Sequence, residues 1–205
     1  SLMGGGRAVL TTGSERVTAK IILELMSKEK VTLCMLLVPW IQDIVTALDK
    51  GELKMSDYDV SSLRLVHSGA QPIPPVLVRR FLQYFPNIQW DENYGLTESA
   101  GPCIHLGLEN LHKLGSFGYP KLNIEARVVD DKGNDVPRGT VGEIILKGAN
   151  VMKCYYKNPE KTAETLKDGW LYTGDLVRQD EDGFIYYVDR KKDLIISGGE
   201  NIYPV

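Results

Sequence analysis

A chain of 205 residues with 43% hydrophobic and 25% charged side chains has an ordinary globular composition, and its length suffices for one ample core or one and a half domains. Its formal net charge is -3, and Lys and Arg are spread along the sequence apart from the short run Arg190-Lys191-Lys192, which argues against a polynucleotide partner. Cys34, Cys103 and Cys154 make no Cys-x-x-Cys or Cys/His spacing and no apolar run reaches membrane-spanning length, so a disulfide framework, a zinc site and a transmembrane segment are not expected; a soluble protein of the reducing cytoplasm is.

Ser1-Leu2 before Met3 reads as a vector remnant. Gly4-Gly5-Gly6 is not followed by Gly-Lys-Ser/Thr and reads as a turn opening a short strand, not a phosphate loop. From Ser14, a suitable cap, Val17, Ile21 and Leu25 with Ile22 and Met26 mark one apolar helical face. Residues 31–38 read as a buried strand with Cys34 as a small buried thiol, and Pro39 suits a first helical turn. Residues 63–67 form another strand, ending at Ser68-Gly69-Ala70; a helix over 75–85 follows, and 88–90 leads into Tyr94. Strands alternating with helices imply a largely parallel sheet, whose ligands sit at the carboxyl ends of its strands. Ser68-Gly69-Ala70 and Tyr94-Gly95 both fall at such ends and are expected to face one pocket. His67 reads there either as an acyl-group contact or as a satisfied core histidine.

After about residue 119 the pattern changes to short strands at 124–129, 142–147 and 184–188, with turn signals Asp131-Lys132-Gly133 and Glu181-Asp182-Gly183 and one helix near 159–166. A small antiparallel barrel or sandwich is expected. The first stretch with linker character is Ser197-Gly198-Gly199-Glu200.

Three blocks carry chemistry: Tyr94-Gly95-Leu96-Thr97-Glu98, the run from Asp168 to Asp175, and Asp189-Arg190-Lys191-Lys192-Asp193. The aromatic face and polar edge of Tyr94 suit a purine, and Gly95 permits close approach of a ligand to the backbone. The Thr97 hydroxyl can donate to a phosphate oxygen, and the Glu98 carboxylate is a hard ligand of the kind Mg²⁺ prefers. Asp175 offers two acceptors to adjacent ribose hydroxyls, Gly174 leaves space for the sugar, and Arg190 supplies a permanently charged fork of donors. Taken alone, the first block also reads as a strand end with Thr97 capping a helix, and Asp175 as a turn residue.

In order and identity these blocks resemble the adenylate-forming superfamily, which spans acyl-CoA synthetases, aryl-acid ligases, peptide-synthetase adenylation domains and firefly luciferase. The resemblance runs through nearly the whole chain. It implies an α/β fold: part of the large N-terminal domain, with a parallel α/β subdomain over 1–119 and a small antiparallel β-barrel subdomain over 120–190, then a hinge and the start of a mobile lid domain over 191–205. It implies ATP, Mg²⁺ and coenzyme A as cofactors and a small carboxylic acid as substrate. Gly69, Ala70 and Gln71 would border adenine; Asn93, Tyr94, Gly95 and Thr97 would bind nucleotide, Glu98 the metal, Asp175 the ribose, with Tyr187 packed nearby and Arg190 closing over the sugar. Thr97, Glu98 and Arg190 would serve catalysis. Lys192 would be the hinge, Ser197, Gly198 and Gly199 would approach pantetheine, and His67, Ser68, Ala100 and Gly101 would line the acyl pocket.

Small side chains at Ala100 and Gly101 favour a medium or long fatty acid, with an aryl acid next and a peptide-synthetase amino acid after it. A non-catalytic nucleotide-binding module is the alternative from a different class. Glu92 departs from the family's usual Asn or Gln and would place charge near the adenine edge. Thr11-Thr12-Gly13 echoes the family's phosphate loop but continues Glu15-Arg16-Val17 where Pro-Lys-Gly is expected. That loop and the lysine bridging carboxylate and α-phosphate would lie outside the chain, so an internal fragment, inactive by itself, is expected.

Overall fold

The computed structural model describes residues 6–10, 16–191, 195–197 and 200–202. It comprises two compact units, Ser1–Asp91 and Glu92–Val205.

In the first unit, helix α1 (Ala19–Lys28) starts later than its sequence pattern suggests: Thr18 is the cap, its hydroxyl accepting from the Ile21 amide at 3.4 Å. Ser14 lies outside the described residues. The buried stripe is Ala19, Ile22, Leu23 and Met26, so Val17, Ile21 and Leu25 flank the core instead of forming it. Strand β1 (Leu33–Met35) is shorter and more exposed than the buried strand expected over 31–38; Leu33 and Met35 are 50% and 53% exposed because β1 stands at the edge of its sheet. Helix α2 (Val38–Asp49) carries Pro39 in its first turn, where a missing N–H costs no hydrogen bond. Strand β2 (Leu65–Gly69) pairs with β1 in parallel, Met35 opposite His67. Helix α3 (Pro75–Tyr84) buries Leu77, Val78 and Phe81. Phe81 stacks on Phe85 at 4.4 Å and meets the fully buried Trp90 at 5.8 Å.

Strand β3 (Gln89–Leu96) leads into the second unit. A single turn returns the chain as β4 (Gly101–His105), which can only pair antiparallel, and β5 (Tyr119–Pro120) adds to β4 in the same sense. The strands expected to be largely parallel are of both senses: β1 and β2 pair in parallel, β3 to β5 antiparallel. The β-rich region is present as β6 (Ile124–Val129), β7 (Val141–Gly148), β8 (Leu166–Lys167), β9 (Trp170–Gln179) and β10 (Ile185–Arg190), with α4 (Pro159–Thr165) between β7 and β8. Its order is β10-β9-β7-β6 with β8 on β9, an antiparallel sheet that does not close into a barrel among the described residues. Val128, Ile144, Leu146, Leu171, Val177 and Ile185 of this sheet share one core with Tyr94, Cys103, Ile104 and Phe117. The turns expected at 131–133 and 181–183 are held by Asp130, which accepts from the amides of Lys132 and Asn134, and by Asp180, which accepts from those of Asp182 and Phe184. Strands β11 (Ile195–Ser197) and β12 (Glu200–Ile202) form a hairpin. Among the described residues no helix is long and apolar enough to cross a membrane.

Candidate active site

Strand β9, the longest among the described residues, carries Asp175 near its middle. Antiparallel register places Arg190 of β10 directly opposite, after an irregularity between Tyr187 and Asp189. Asp175 is 2% exposed. Its Oδ2 accepts a 2.7 Å hydrogen bond from the Tyr94 hydroxyl, while Oδ1, 3.1 Å from Arg190 Nε, is buried and accepts no hydrogen bond of good geometry. Burial pushes the Asp175 carboxyl above its ordinary range against the opposing pull of Tyr94 and Arg190. The Tyr94 phenol is likewise pushed up by burial and by the Asp175 charge. Its ring stacks on Phe117 at 4.7 Å, and Phe117 meets Tyr187 at 6.0 Å. The polar edge of Tyr94 is thus committed to Asp175, and one of its faces to Phe117.

Gly174 has φ +74°, and a Cβ built on it would meet nothing within 4 Å, so the backbone beside Asp175 borders open space. Its amide donates to Glu143 Oε1 at 2.9 Å. Glu143 is buried, and its other oxygen is 2.9 Å from Lys191 Nζ, which also pairs with Asp131 at 2.8 Å. Gly95 also has a packing role. A Cβ there would lie 2.2 Å from the Gly101 carbonyl oxygen, so close packing of β3 on β4 requires the glycine.

The turn after β3, Thr97–Ser99, ends in left-handed backbone at Ala100 (φ 52°). Its local satisfaction comes from Ser99, not Thr97: the Ser99 hydroxyl accepts from the Leu96 amide at 3.0 Å and donates to the Gly101 carbonyl at 2.9 Å. Thr97 is left exposed on the turn. The segment after β7 grips the same turn. Asn150 Nδ2 donates to the Ser99 carbonyl (2.7 Å), the Met152 amide to the Glu98 carbonyl (2.7 Å), and the Tyr155 hydroxyl to Glu98 Oε1 (2.6 Å). The bond to Glu98 raises the Tyr155 phenol above its ordinary value. A half-buried carboxylate beside an exposed hydroxyl is a hard-oxygen donor set that fits Mg²⁺. Among the described residues no group of three or more His, Cys, Asp or Glu is placed to hold a metal, so a cation at Glu98 would take its other ligands from phosphate and water.

In the first unit, His67 Nδ1 lies 3.2 Å from Asp91 Oδ2, and Asp91 is buried. Ser68 is fully buried with its hydroxyl donating to the Leu36 carbonyl at 2.6 Å, which ties β2 to the chain after β1. Gly69 is buried, Ala70 and Gln71 are exposed, and Ala70 takes φ 69°. Cys34 is half-buried, and desolvation pushes its thiol up to about 12, as an inert cysteine requires. Of the second-unit candidates, Tyr94, Asp175, Tyr187 and Arg190 come together, Thr97 and Glu98 share the turn, and Asn93 sits on β3 opposite His105. Glu92 is buried on β3, and its carbonyl accepts from the Leu106 amide. Lys192, Gly198 and Gly199 lie outside the described residues, and Ser197 ends β11. Sequence reading missed Tyr155, Glu143 and Asp91.

Residues 1–156 match the family described as AMP-binding enzyme. The chain is 38% identical to a feruloyl-CoA synthase of an Amycolatopsis species over 205 residues, covering all of this chain and 40% of that protein. It is 43% identical over 147 residues to a long-chain-fatty-acid–CoA ligase of Salmonella typhimurium, covering 71% of this chain and 26% of the relative. Among solved structures, O-succinylbenzoate coenzyme A synthetase from Bacillus subtilis, in complex with ATP and magnesium ion, superposes with a TM-score of 0.79 at 32% identity, over 92% of this chain and 38% of that one. The chain thus spans at most 40% of the length of these proteins.

Proposed function

The chain belongs to the AMP-binding enzyme family, and from that membership we propose that it carries the nucleotide-handling part of an ATP-dependent acid–coenzyme A ligase. The observation that carries this reading is Asp175: a buried carboxylate beside open space over Gly174, one oxygen of which is met only by the Arg190 guanidinium, at 3.1 Å and without a hydrogen bond of good geometry. An acceptor buried in this way is costly unless a ligand supplies donors, and a ribose diol supplies two.

In the proposed reaction a carboxylate oxygen of the acid attacks the α-phosphorus of ATP, and the bond to the pyrophosphate oxygen breaks. The sulfur of coenzyme A then attacks the acyl carbon and AMP leaves. No protein nucleophile is needed; this chain's residues contribute position and charge. Asp175 holds the ribose, Arg190 shifts from Asp175 to nucleotide oxygens, and Thr97 donates to phosphate. Glu98 would hold Mg²⁺, which neutralises charge on the phosphates when bound. Lys192 is the proposed hinge of a lid domain, and Ser197, Gly198 and Gly199 the segment that approaches the coenzyme.

For the acid, the exposed Ala100 and the open space at Gly101 support an extended chain, hence a medium or long fatty acid. A second reading, an aryl acid, is favoured by identity to a feruloyl-CoA synthase that extends over the whole chain. Thioester formation by the full-length enzyme, followed by mass spectrometry with fatty and hydroxycinnamic acids side by side, tests both. The expected outcome is an acyl-coenzyme A product with fatty acids, lost in Asp175→Ala; product with hydroxycinnamic acids alone selects the aryl reading, and none with either class sinks the ligase.

A further inference from the structure

Glu98 is restrained far more than a carboxylate at the end of an exposed turn needs to be. Its carbonyl is held by Met152, the next carbonyl by Asn150, and its Oε1 by Tyr155, three contacts from one segment more than fifty residues downstream. Tyr155 is itself fixed from below. Its amide donates to Thr162 Oγ1 at 3.0 Å, and the Thr162 hydroxyl donates to the Asn158 carbonyl at 2.7 Å. Asn158 in turn caps α4 by accepting from the Lys161 amide at 3.0 Å. A capped helix thus braces the residue whose phenol donates to one oxygen of Glu98.

A carboxylate with Oε1 engaged in this way presents Oε2 in one orientation. Mg²⁺ demands near-ideal octahedral geometry at short distance, whereas Ca²⁺ accepts more ligands at longer and more variable distances. Fixing the carboxylate therefore favours the smaller ion, and partners that orient metal ligands commonly matter about 10- to 100-fold in affinity. We propose that Tyr155 is a positioning residue that sets the Glu98 carboxylate for a divalent cation and gives the site its preference for Mg²⁺ over Ca²⁺. This rests on Glu98 being a metal ligand.

The test is direct Mn²⁺ binding to the full-length enzyme, read by electron paramagnetic resonance in the presence of a non-hydrolysable ATP analogue, with Mg²⁺ and Ca²⁺ as competitors. Tyr155→Phe should weaken Mn²⁺ about 10-fold or more and narrow the Mg²⁺/Ca²⁺ preference, while metal-free analogue binding and the melting temperature stay unchanged. Thr162→Val, which loosens Tyr155 without touching Glu98, should move both in the same direction by less, and serves if Tyr155→Phe folds poorly. Wild-type Mn²⁺ affinity and preference in Tyr155→Phe, with Mn²⁺ lost in Glu98→Gln, would overturn the role of Tyr155 and leave Glu98 as ligand. Unchanged Mn²⁺ binding in Glu98→Gln would overturn both.

Discussion

Asp175 is buried, whereas the proposed ribose contact needs it charged, and its surroundings pull both ways. Desolvation raises its pKa above the ordinary 3.8, and Tyr94 and Arg190 oppose that rise. In the window above 3.8 the folded carboxyl keeps a proton that the unfolded chain has lost, so this group's contribution to stability falls as pH rises through its folded pKa. Nucleotide affinity should run the other way, growing as the carboxyl ionises. Removing the arginine deprives the carboxylate of its cation and lifts the pKa further, so Arg190→Ala should move the acid limb of the AMP-binding profile to higher pH, measured by calorimetry; an unmoved limb with merely lower affinity would mean that Arg190 does not govern Asp175 ionisation. Asp175, Arg190 and Tyr94 were legible in the sequence because each lies in a short block whose residue types suit one chemistry. Tyr155, Glu143 and Asp91 were not. Each acts through contacts made only by folding, and no local pattern marks a tyrosine whose partner lies 57 positions upstream.

Two glycines near the site separate packing from space. Gly95→Ala would drive a methyl against the Gly101 carbonyl at 2.2 Å, and a loss of about 1–3 kcal/mol is expected from such overpacking. Gly174→Ala meets open space and is penalised only for its φ of +74°, about 1–2 kcal/mol. Denaturant melts of both should show the full loss at Gly95 and, at Gly174, a smaller loss accompanied by weaker AMP binding. Equal losses with intact binding at Gly174 would contradict the reading of that space as the ligand's. Helices α2 and α3 and strands β6 and β7 follow from apolar period, proline placement and turn residues. Strand β9 escaped because Thr173-Gly174-Asp175 interrupts its apolar alternation with polar groups that are satisfied only across strands: Thr173 Oγ1 donates to the Ile144 carbonyl at 2.7 Å. The start of α1 was misplaced because Ser14 and Thr18 both offer a cap, and the buried stripe from Ala19 to Met26 decides between them.

For the molecule as a whole, the α/β class and the short antiparallel strands after residue 119 were readable from alternating elements and evenly spaced turns. The mixed sense of β1 to β5 was not, because alternation says nothing of the single-turn return between β3 and β4 that forces an antiparallel pair. Membership of the AMP-binding enzyme family and the 0.79 superposition accord with that architecture. Acid-dependent exchange of pyrophosphate into ATP by the full-length enzyme, beside Asp175→Ala, isolates the first half of the proposed reaction. Exchange that requires both the acid and Mg²⁺ and falls sharply in Asp175→Ala is the expected result; AMP binding with no exchange for any fatty or aryl acid would contradict the ligase reading and leave a nucleotide-binding module in its place.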